Sequence, residues 1–167
     1  MNNEFVAIPR LFNSAVQSAK KYGSESMHNM HGDYINGGWD RYSYNGIGDS
    51  IEYKDTNHDY WVDQITEKKN GKLFVEAKNT NPYKDNLFDS YKEYQNGQLY
   101  RTVQDQNKNG NYDLVELYEY GNKTQTIEDI DDDGDPELYT FYDSKGNILE
   151  QIDTRSGWEK FWDSIFK

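Results

Sequence analysis

Two-residue turn signals recur along this chain at a nearly constant interval. Asn-Gly favours a tight type I′ hairpin turn, because both residues accept a positive φ, and Gly-Asn favours the related type II′ turn. The last copy, at residues 142–147, is instead predicted to be a longer turn with Gly146 in a left-handed conformation. Strand-length segments rich in aromatic and β-branched residues lie between the turns. The first residues of the five signals stand 25, 26, 25 and 25 positions apart: Asn45-Gly46, Asn70-Gly71, Asn96-Gly97, Gly121-Asn122 and Gly146-Asn147.

This period predicts an all-β fold, an antiparallel meander of repeated β-hairpins. An isolated hairpin is barely stable in water, so neighbouring hairpins must pair into one sheet. We expect about five repeats of 24–26 residues, and hence about ten strands, in a repeat domain at residues 39–153. The tight turns would lie along one edge of the sheet and the longer connections along the other.

The two ends of the chain lack this period. Residues 1–38 are predicted to form an N-terminal helix and a linker, because the apolar spacing from Pro9 to Tyr22 is that of an amphipathic helix. Residues 154–167 carry aromatic residues at helical spacing. We therefore predict a short helix there that caps the open end of the sheet.

Composition limits the classes of partner. The formal net charge is −12, from 30 acidic and 18 basic residues, which argues against nucleic acid or an anionic membrane. No apolar run approaches the roughly 18 residues of a membrane span, and no Sec-type signal is visible at the start. The chain has no cysteine, so a thin, Tyr-rich core needs a staple other than disulfides, and bound metal is the obvious candidate.

Oxygen-rich loops recur with the same period as the turns. Four loops carry oxygen side chains at relative positions 1, 3, 5 and 9, the spacing by which a short loop wraps its oxygens around a hard cation. Ca²⁺ is the expected cofactor, since Mg²⁺ prefers fewer protein ligands and a strict octahedron. We number the loops in chain order as loop 1 (55–63), loop 2 (79–89), loop 3 (105–113) and loop 4 (129–137).

Loops 3 and 4 fit the cation pattern best, since both have Gly at position 6 for the sharp bend. In loop 3 the Asn111 carbonyl would serve at position 7, and Glu116 could close the site with both oxygens. The predicted ligands of loop 3 are Asp105, Asn107, Asn109, Asn111, Asp113 and Glu116, and those of loop 4 are Asp129, Asp131, Asp133, Asp135 and Glu137.

Loops 1 and 2 fit less well. Loop 1 has Tyr60 where the bend needs Gly, and loop 2 fits only if Pro82-Tyr83 is an insertion. An ion-free Asx-turn loop remains an open alternative for loop 2. The predicted ligands are Asp55, Asn57, Asp59 and Asp63 in loop 1, and Asn79, Asn81, Asp85 and Asp89 in loop 2.

On these residues the loops resemble EF-hand calcium loops, although their flanks read as strands rather than helices. They are thus similar to the D-x-D-x-D-G-x-x-D loops of dockerin-like, thrombospondin type 3 and integrin FG-GAP repeats. The segment 142–149 also resembles the hairpin of bacterial YD repeats. The calcium-loop resemblance covers roughly residues 55–140 and implies calcium binding.

We expect a calcium-binding, calcium-stabilised structural or recognition module of a secreted or cell-surface protein of bacterial origin. No catalytic constellation is visible, so we predict that the chain is not an enzyme. Its partners would be calcium ions and, beyond them, a protein or glycan surface ligand. The alternative is a carbohydrate- or surface-binding domain whose exposed rings stack on sugars. The candidate rings are Trp39, Trp61, Tyr42, Tyr91, Tyr100 and Tyr118.

Overall fold

Ten antiparallel strands form one sheet in which each strand pairs with its neighbours in sequence. The computed structural model describes residues 10–22, 40–43, 48–54, 56, 62–80 and 88–155. Residues 10–22 form a helix, α1. The strands are β1 (Asp40–Ser43), β2 (Ser50–Lys54), β3 (Gln64–Lys69), β4 (Lys72–Lys78), β5 (Ser90–Gln95), β6 (Gln98–Gln104), β7 (Leu114–Glu119), β8 (Asn122–Glu128), β9 (Leu138–Tyr142) and β10 (Ile148–Asp153).

The predicted antiparallel meander and the helix before it are confirmed. The predicted capping helix at residues 154–167 falls almost wholly outside the described residues, which end at residue 155. The repeat count and the domain boundaries at 38 and 153 stay predictions.

Two-residue turns close the central hairpins. Asn70 and Gly71 have φ values of 52° and 73°, and Asn96 and Gly97 have 55° and 84°. Two consecutive positive φ angles define the predicted type I′ turn, whose twist matches that of the flanking strands.

The next hairpin corrects the predicted turn at Gly121-Asn122. Here the turn residues are Tyr120 and Gly121, with φ values of 51° and 83°, and Asn122 already opens β8. Tyr120 takes the position that Asn occupies in the two hairpins before it and is 90% exposed. The pairing of β7 with β8 fixes the turn one residue earlier than the Gly-Asn pair predicts, at the cost of a left-handed tyrosine.

A β-bulge recurs at the same place in successive hairpins. The pairing between β3 and β4 skips Phe74, that between β5 and β6 skips Tyr100, and that between β7 and β8 skips Thr124. Each skipped residue is the third of its strand. An extra residue of this kind increases the local twist of the strand pair, so the repeated bulges twist the sheet at regular intervals.

One face of the sheet forms the core. Side chains alternate between the faces of a strand, and the strand register aligns one buried residue from each of seven consecutive strands into a row across the sheet. The row comprises Ile65, Ala77, Tyr91, Val103, Val115, Ile127 and Tyr139.

Helix α1 joins the same buried cluster as that row. Phe12, Ala15, Val16 and Ala19 are its buried residues, and their i, i+3, i+4, i+7 spacing places them on one side of the helix. The Tyr22 ring lies 5.7 Å from the Tyr91 ring, centroid to centroid. The helix therefore belongs to the core, as a layer that shares its buried residues with the sheet.

The opposite face of the sheet is polar. Its central row consists mainly of Thr and charged residues, and three of the threonines are almost completely buried among their neighbours: Thr102, Thr126 and Thr140. Tyr and Gln side chains on this face donate hydrogen bonds to Glu and Thr, as Tyr94 does to Glu76 at 2.5 Å. This face is thus held together by hydrogen bonds rather than by apolar contact.

Candidate metal site

The described parts of the four loops lie along one edge of the sheet and are joined by backbone hydrogen bonds. The first residue of one loop donates its N–H to the carbonyl of the last acid of the loop before. Asn79 donates to Asp63 at 2.8 Å, Asp105 to Asp89 at 2.8 Å, and Asp129 to Asp113 at 2.9 Å. The hairpin turns occupy the opposite edge, as the sequence predicts.

Loops 3 and 4 have positive φ angles at the same two positions. Position 4 has a left-handed residue in both, Lys108 with φ 59° and Asp132 with φ 63°. Position 6 is Gly110 with φ 96° and Gly134 with φ 95°. Only glycine adopts such angles at little steric cost, and Asp tolerates them better than most residues. The bends at positions 4 and 6 turn the side chains of positions 1, 3 and 5 toward one another.

The last acid of each loop bonds back to the start of that loop. Its carboxylate accepts a hydrogen bond from the N–H of the residue that follows the loop's first position. Asp63 accepts from Thr56 at 2.7 Å, Asp89 from Thr80 at 2.6 Å, and Asp113 from Gln106 at 3.0 Å. Glu137 accepts from Ile130 at 2.8 Å. This role holds the loop shape with or without an ion, and the ligand pattern alone does not reveal it.

Loop 4 gathers four carboxylates into a single cluster. Asp129, Asp131, Asp133 and Glu137 each offer one oxygen, and these oxygens all lie within 4.8 Å of one another. They come from positions 1, 3, 5 and 9, as the sequence predicts. Elsewhere in the part of the chain that the structure describes, no three His, Cys, Asp or Glu side chains come together in this way.

Asp129 is the buried member of this cluster, with 4% of its surface exposed. Its Oδ2 accepts the N–H of Gly134 at 2.9 Å. Its Oδ1 is shielded from solvent and accepts no hydrogen bond. A buried carboxylate oxygen without a donor carries a desolvation cost that a cation beside it would offset.

The electrostatics of the cluster disfavour negative charge. Burial, followed by the fields of Asp133 and Asp131, raises the pKa of Asp129 despite hydrogen bonds from two backbone N–H groups. Burial and the neighbouring carboxylates also raise the pKa of Glu137. Like charges at this distance repel one another, so the ionised cluster destabilises the loop, and a bound divalent cation would remove this repulsion.

In loop 3 the carboxylates bond to the loop's own backbone and do not form a cluster like that of loop 4. Asp105 accepts the N–H of Asn109 at 3.2 Å on Oδ1 and that of Gly110 at 2.8 Å on Oδ2. Asp113 accepts N–H groups from Gln106 and Asn107. Both oxygens of both acids are therefore engaged by the loop's own backbone. Loop 3 has the shape of a cation loop but satisfies its carboxylates internally.

Glu116, predicted to close loop 3, lies on the polar face of the sheet in β7. Its carboxylate accepts hydrogen bonds from Tyr118 at 2.9 Å and Thr102 at 3.0 Å, and pairs with Lys123 at 3.1 Å. The structure does not bring it together with the other loop 3 residues. The closing position of an EF-hand follows a loop that enters a helix, whereas the strand here turns the side chain onto the sheet.

The remaining predicted ligands contribute backbone groups or fall outside the described residues. The N–H of Asn111 donates to Asn109 Oδ1 and that of Asp135 to Asp133 Oδ1, both at 2.8 Å. The side chain of Asp135 is not a member of the four-carboxylate cluster. Outside the described residues lie Asp55, Asn57, Asp59, Asn81 and Asp85.

Three of the six rings of the predicted aromatic platform have side chains within the described residues. Tyr91 is 4% exposed and faces the core beside Tyr22, so it is not available to stack on a ligand. Tyr118 is partly buried and donates its hydroxyl to Glu116, and Tyr100 is the partly buried residue of a bulge. Trp39, Trp61 and the side chain of Tyr42 lie outside the described residues.

Comparisons with known proteins add a remote structural likeness. No family model matches the chain, and no curated protein matches it. Among solved structures, the chain is similar to a TarM mutant from S. aureus in complex with fondaparinux, α-GlcNAc-glycerol and UDP, at 9% sequence identity and a TM-score of 0.44. The match covers 95% of this chain and 30% of the TarM chain.

The prediction that the chain is not an enzyme is corrected by this comparison, because the matched structure is that of a glycosyltransferase. We withdraw that prediction. At this level of similarity the match assigns neither an activity nor a ligand to this chain.

Among the described residues, the helix is too short and too polar to cross a membrane.

Proposed function

We propose that loop 4 binds a calcium ion and that the chain is a calcium-stabilised structural or recognition module. The observation that carries the proposal is the buried Oδ1 of Asp129, which accepts no hydrogen bond and belongs to a carboxylate that has an oxygen within 4.8 Å of oxygens from Asp131, Asp133 and Glu137. Acids are commonly clustered on protein surfaces without an ion. A buried acid oxygen lacking any donor is rare, and it supports a ligand at this place.

The donor set favours calcium over other ions. Carboxylate oxygens suit hard cations, and the part of the chain that the structure describes offers this site neither thiol nor imidazole. Calcium accepts six to eight oxygens in a flexible arrangement, whereas magnesium requires a near-ideal octahedron and retains several waters. In the calcium-loop pattern, the backbone carbonyl of Asp135 at position 7 would add a fifth protein ligand, and water would complete the shell.

Binding at loop 4 would stabilise the folded chain by mass action. A ligand that binds only the folded state contributes about 2.7 kcal/mol when its concentration is a hundred times Kd. For a chain of this size, that energy corresponds to a rise in melting temperature of about 5–10 °C. The ion would also remove the mutual repulsion of four acids in a chain whose net charge is −12.

Stabilisation by calcium binding suits a protein that functions at a high calcium concentration. Extracellular calcium modules bind at roughly 0.1–1 mM, far above the concentration in a bacterial cytosol. A secreted or cell-surface location is therefore part of the proposal. The loop edge would be rigid there, so that the polar face of the sheet could serve recognition of a protein or glycan.

The test is calorimetric titration of chelator-treated protein with calcium chloride, together with thermal unfolding in calcium and in EDTA. We expect one equivalent of calcium to bind and the melting temperature to rise. Asp129→Asn should abolish both effects, whereas the charge-matched control Glu119→Gln, exposed at the opposite edge, should retain both. Identical melting curves in calcium and EDTA, with no binding heat, would overturn the proposal.

A further inference from the structure

We infer that Asn107 and Asn109 of loop 3 are positioning residues for the cation site of loop 4, and that they act through Asp132. The inference rests on the proposed function of loop 4. It gives loop 3 a role other than the cation site that its sequence predicts: loop 3 fixes the segment that carries two of its neighbour's ligands.

The link between the loops is a pair of hydrogen bonds to one oxygen. Asp132 Oδ2 accepts the Nδ2 group of Asn107 at 2.8 Å and that of Asn109 at 2.7 Å. Both donors are neutral amides and the acceptor is a carboxylate, so each bond is of the stronger, charge-assisted kind. The other oxygen of Asp132, Oδ1, is shielded from solvent and accepts no hydrogen bond.

Asp132 stands between the ligands Asp131 and Asp133 in the chain. Its φ of 63° lies in the left-handed region, which is costly for a residue with a Cβ. Fixing the side chain of Asp132 therefore fixes the bend that turns Asp131 and Asp133 toward Asp129, before any ion arrives.

The two asparagines are fully engaged in this role. The Oδ1 of Asn107 accepts the N–H of Asn109 at 3.0 Å, and the Oδ1 of Asn109 accepts the N–H of Asn111 at 2.8 Å. Their Nδ2 groups point to Asp132. With both ends of each amide bonded, and with Asp105 and Asp113 satisfied by backbone N–H groups, loop 3 is arranged as a rigid support.

Partners that orient metal ligands from outside the coordination shell typically change metal affinity by 10–100-fold when they are removed. Asn107 and Asn109 are exposed, so water can replace part of what they donate. We therefore expect an effect at the lower end, about tenfold in the calcium Kd of loop 4. The free energy of unfolding in EDTA should change little by comparison.

The test is a double-mutant cycle read by calorimetric titration with calcium chloride. The variants are Asn107→Ala/Asn109→Ala, Asp132→Ala, and the combination of all three. We expect the asparagine pair to raise Kd about tenfold in the wild-type background and to have no further effect in the Asp132→Ala background, because the asparagines act only through Asp132. Melting in EDTA monitors the fold of each variant.

Asn111→Ala is the matched control. Asn111 belongs to the same loop and is equally exposed, and its side chain forms no hydrogen bond to loop 4 among the described residues. This variant should bind calcium like the wild type. A lowered affinity in this variant equal to that of the asparagine pair would attribute the effect to general loosening of loop 3 and overturn the inference.

The possible failures are distinguishable. If the wild type binds no calcium, the proposed function itself is wrong. If the wild type binds calcium and the asparagine pair leaves Kd unchanged, or adds its effect to that of Asp132→Ala, the positioning inference is wrong while the proposed function stands. A fall from two bound calcium ions to one in the asparagine variant would make loop 3 a site of its own, which also overturns the inference.

Discussion

Asp113 and Glu137 occupy equivalent places in successive loops but use their oxygens differently. Both oxygens of Asp113 accept hydrogen bonds from the loop 3 backbone, whereas Glu137 closes loop 4 with Oε2 and belongs to the four-carboxylate cluster. The extra methylene of Glu lets one carboxylate reach the backbone and the cluster together. This longer side chain distinguishes loop 4 from loop 3, together with Asp131 and Asp133, which stand where loop 3 has Asn107 and Asn109.

Shortening Glu137 tests this difference. We expect Glu137→Asp to keep the hydrogen bond to Ile130, and with it the loop shape, but to weaken calcium binding about tenfold, because the shorter side chain draws its carboxylate out of the cluster. Calorimetric titration would measure the affinity. Glu150→Asp, at an exposed strand position, is the control, and an unchanged Kd in Glu137→Asp would contradict the geometry described here.

Replacing the first acid of loop 3 and the third-position acid of loop 4 should have contrasting effects. Asp105→Ala removes the acceptor of two loop N–H groups, so we expect a loss of about 1–3 kcal/mol in calcium and in EDTA alike. Asp131→Ala removes an exposed acid of the cluster, so its melting temperature should fall in calcium and stay nearly constant or rise in EDTA. Thermal unfolding in both buffers would measure the contrast, which a purely structural loop 4 would not produce.

The ionised Glu116 carboxylate should make a pH-dependent contribution to the stability of the fold. Burial alone would raise its pKa, but hydrogen bonds from Tyr118, Lys123 and Thr102 outweigh burial, so the pKa lies below its ordinary value of 4.5. A lowered pKa in the folded state means that the ionised form stabilises the fold above pH 4.5 and that this contribution is lost as the pH falls through the folded-state pKa.

The corresponding experiment compares Glu116→Gln with the wild type by urea unfolding between pH 3 and pH 7. We expect the variant to be less stable by about 1–2 kcal/mol near neutral pH, with the difference shrinking below about pH 4.5. Glu119→Gln, exposed at the turn edge, should show almost no difference at any pH. A gap that widened on acidification would reverse the assigned direction of the shift.

Gly48 and Gly71 differ in why the position requires glycine: Gly71 because of its backbone angle alone, and Gly48 because of both its angle and the lack of space for a Cβ. Both have positive φ, 89° and 73°, but a Cβ on Gly48 would lie 2.8 Å from the Gly71 nitrogen, whereas a Cβ on Gly71 would meet no atom within 4 Å. We expect Gly71→Ala to cost about 1–2 kcal/mol from its backbone angle, and Gly48→Ala to cost about 1–3 kcal/mol more from crowding against backbone. Urea unfolding would measure both, and equal losses would mean that the neighbouring turn moves aside.

The sequence predicts the meander well because its signals are local. Asn70-Gly71 and Asn96-Gly97 determine their own turns, and the spacing of Phe12, Ala15, Val16 and Ala19 determines a helix by itself. The turn at Tyr120 escapes prediction because the register of two strands, rather than the turn residues, positions it. At this turn, hydrogen-bonded pairing along the whole of the two strands outweighs the turn propensity of Gly121-Asn122.

The candidate site is predictable at the level of ligand positions and no further. Asp129, Asp131, Asp133 and Glu137 follow from spacing, but nothing in the spacing shows that loop 3 satisfies its own acids. Glu116 fails to join loop 3 because a strand, not a helix, follows the loop. Asp132 is a non-ligand in the pattern, and its contact with Asn107 depends on the lateral distance between loops, which the strand pairing sets.

Because each strand pairs with its chain neighbours alone, the sheet has no threaded connection and no strand that must wait for a distant partner. Such an architecture can gain or lose a whole hairpin by duplication or deletion without rerouting the rest of the backbone. Its length is therefore an evolutionary variable, and the bond from each loop to the next, such as Asp129 N–H to the Asp113 carbonyl, gives every added unit the same way to attach.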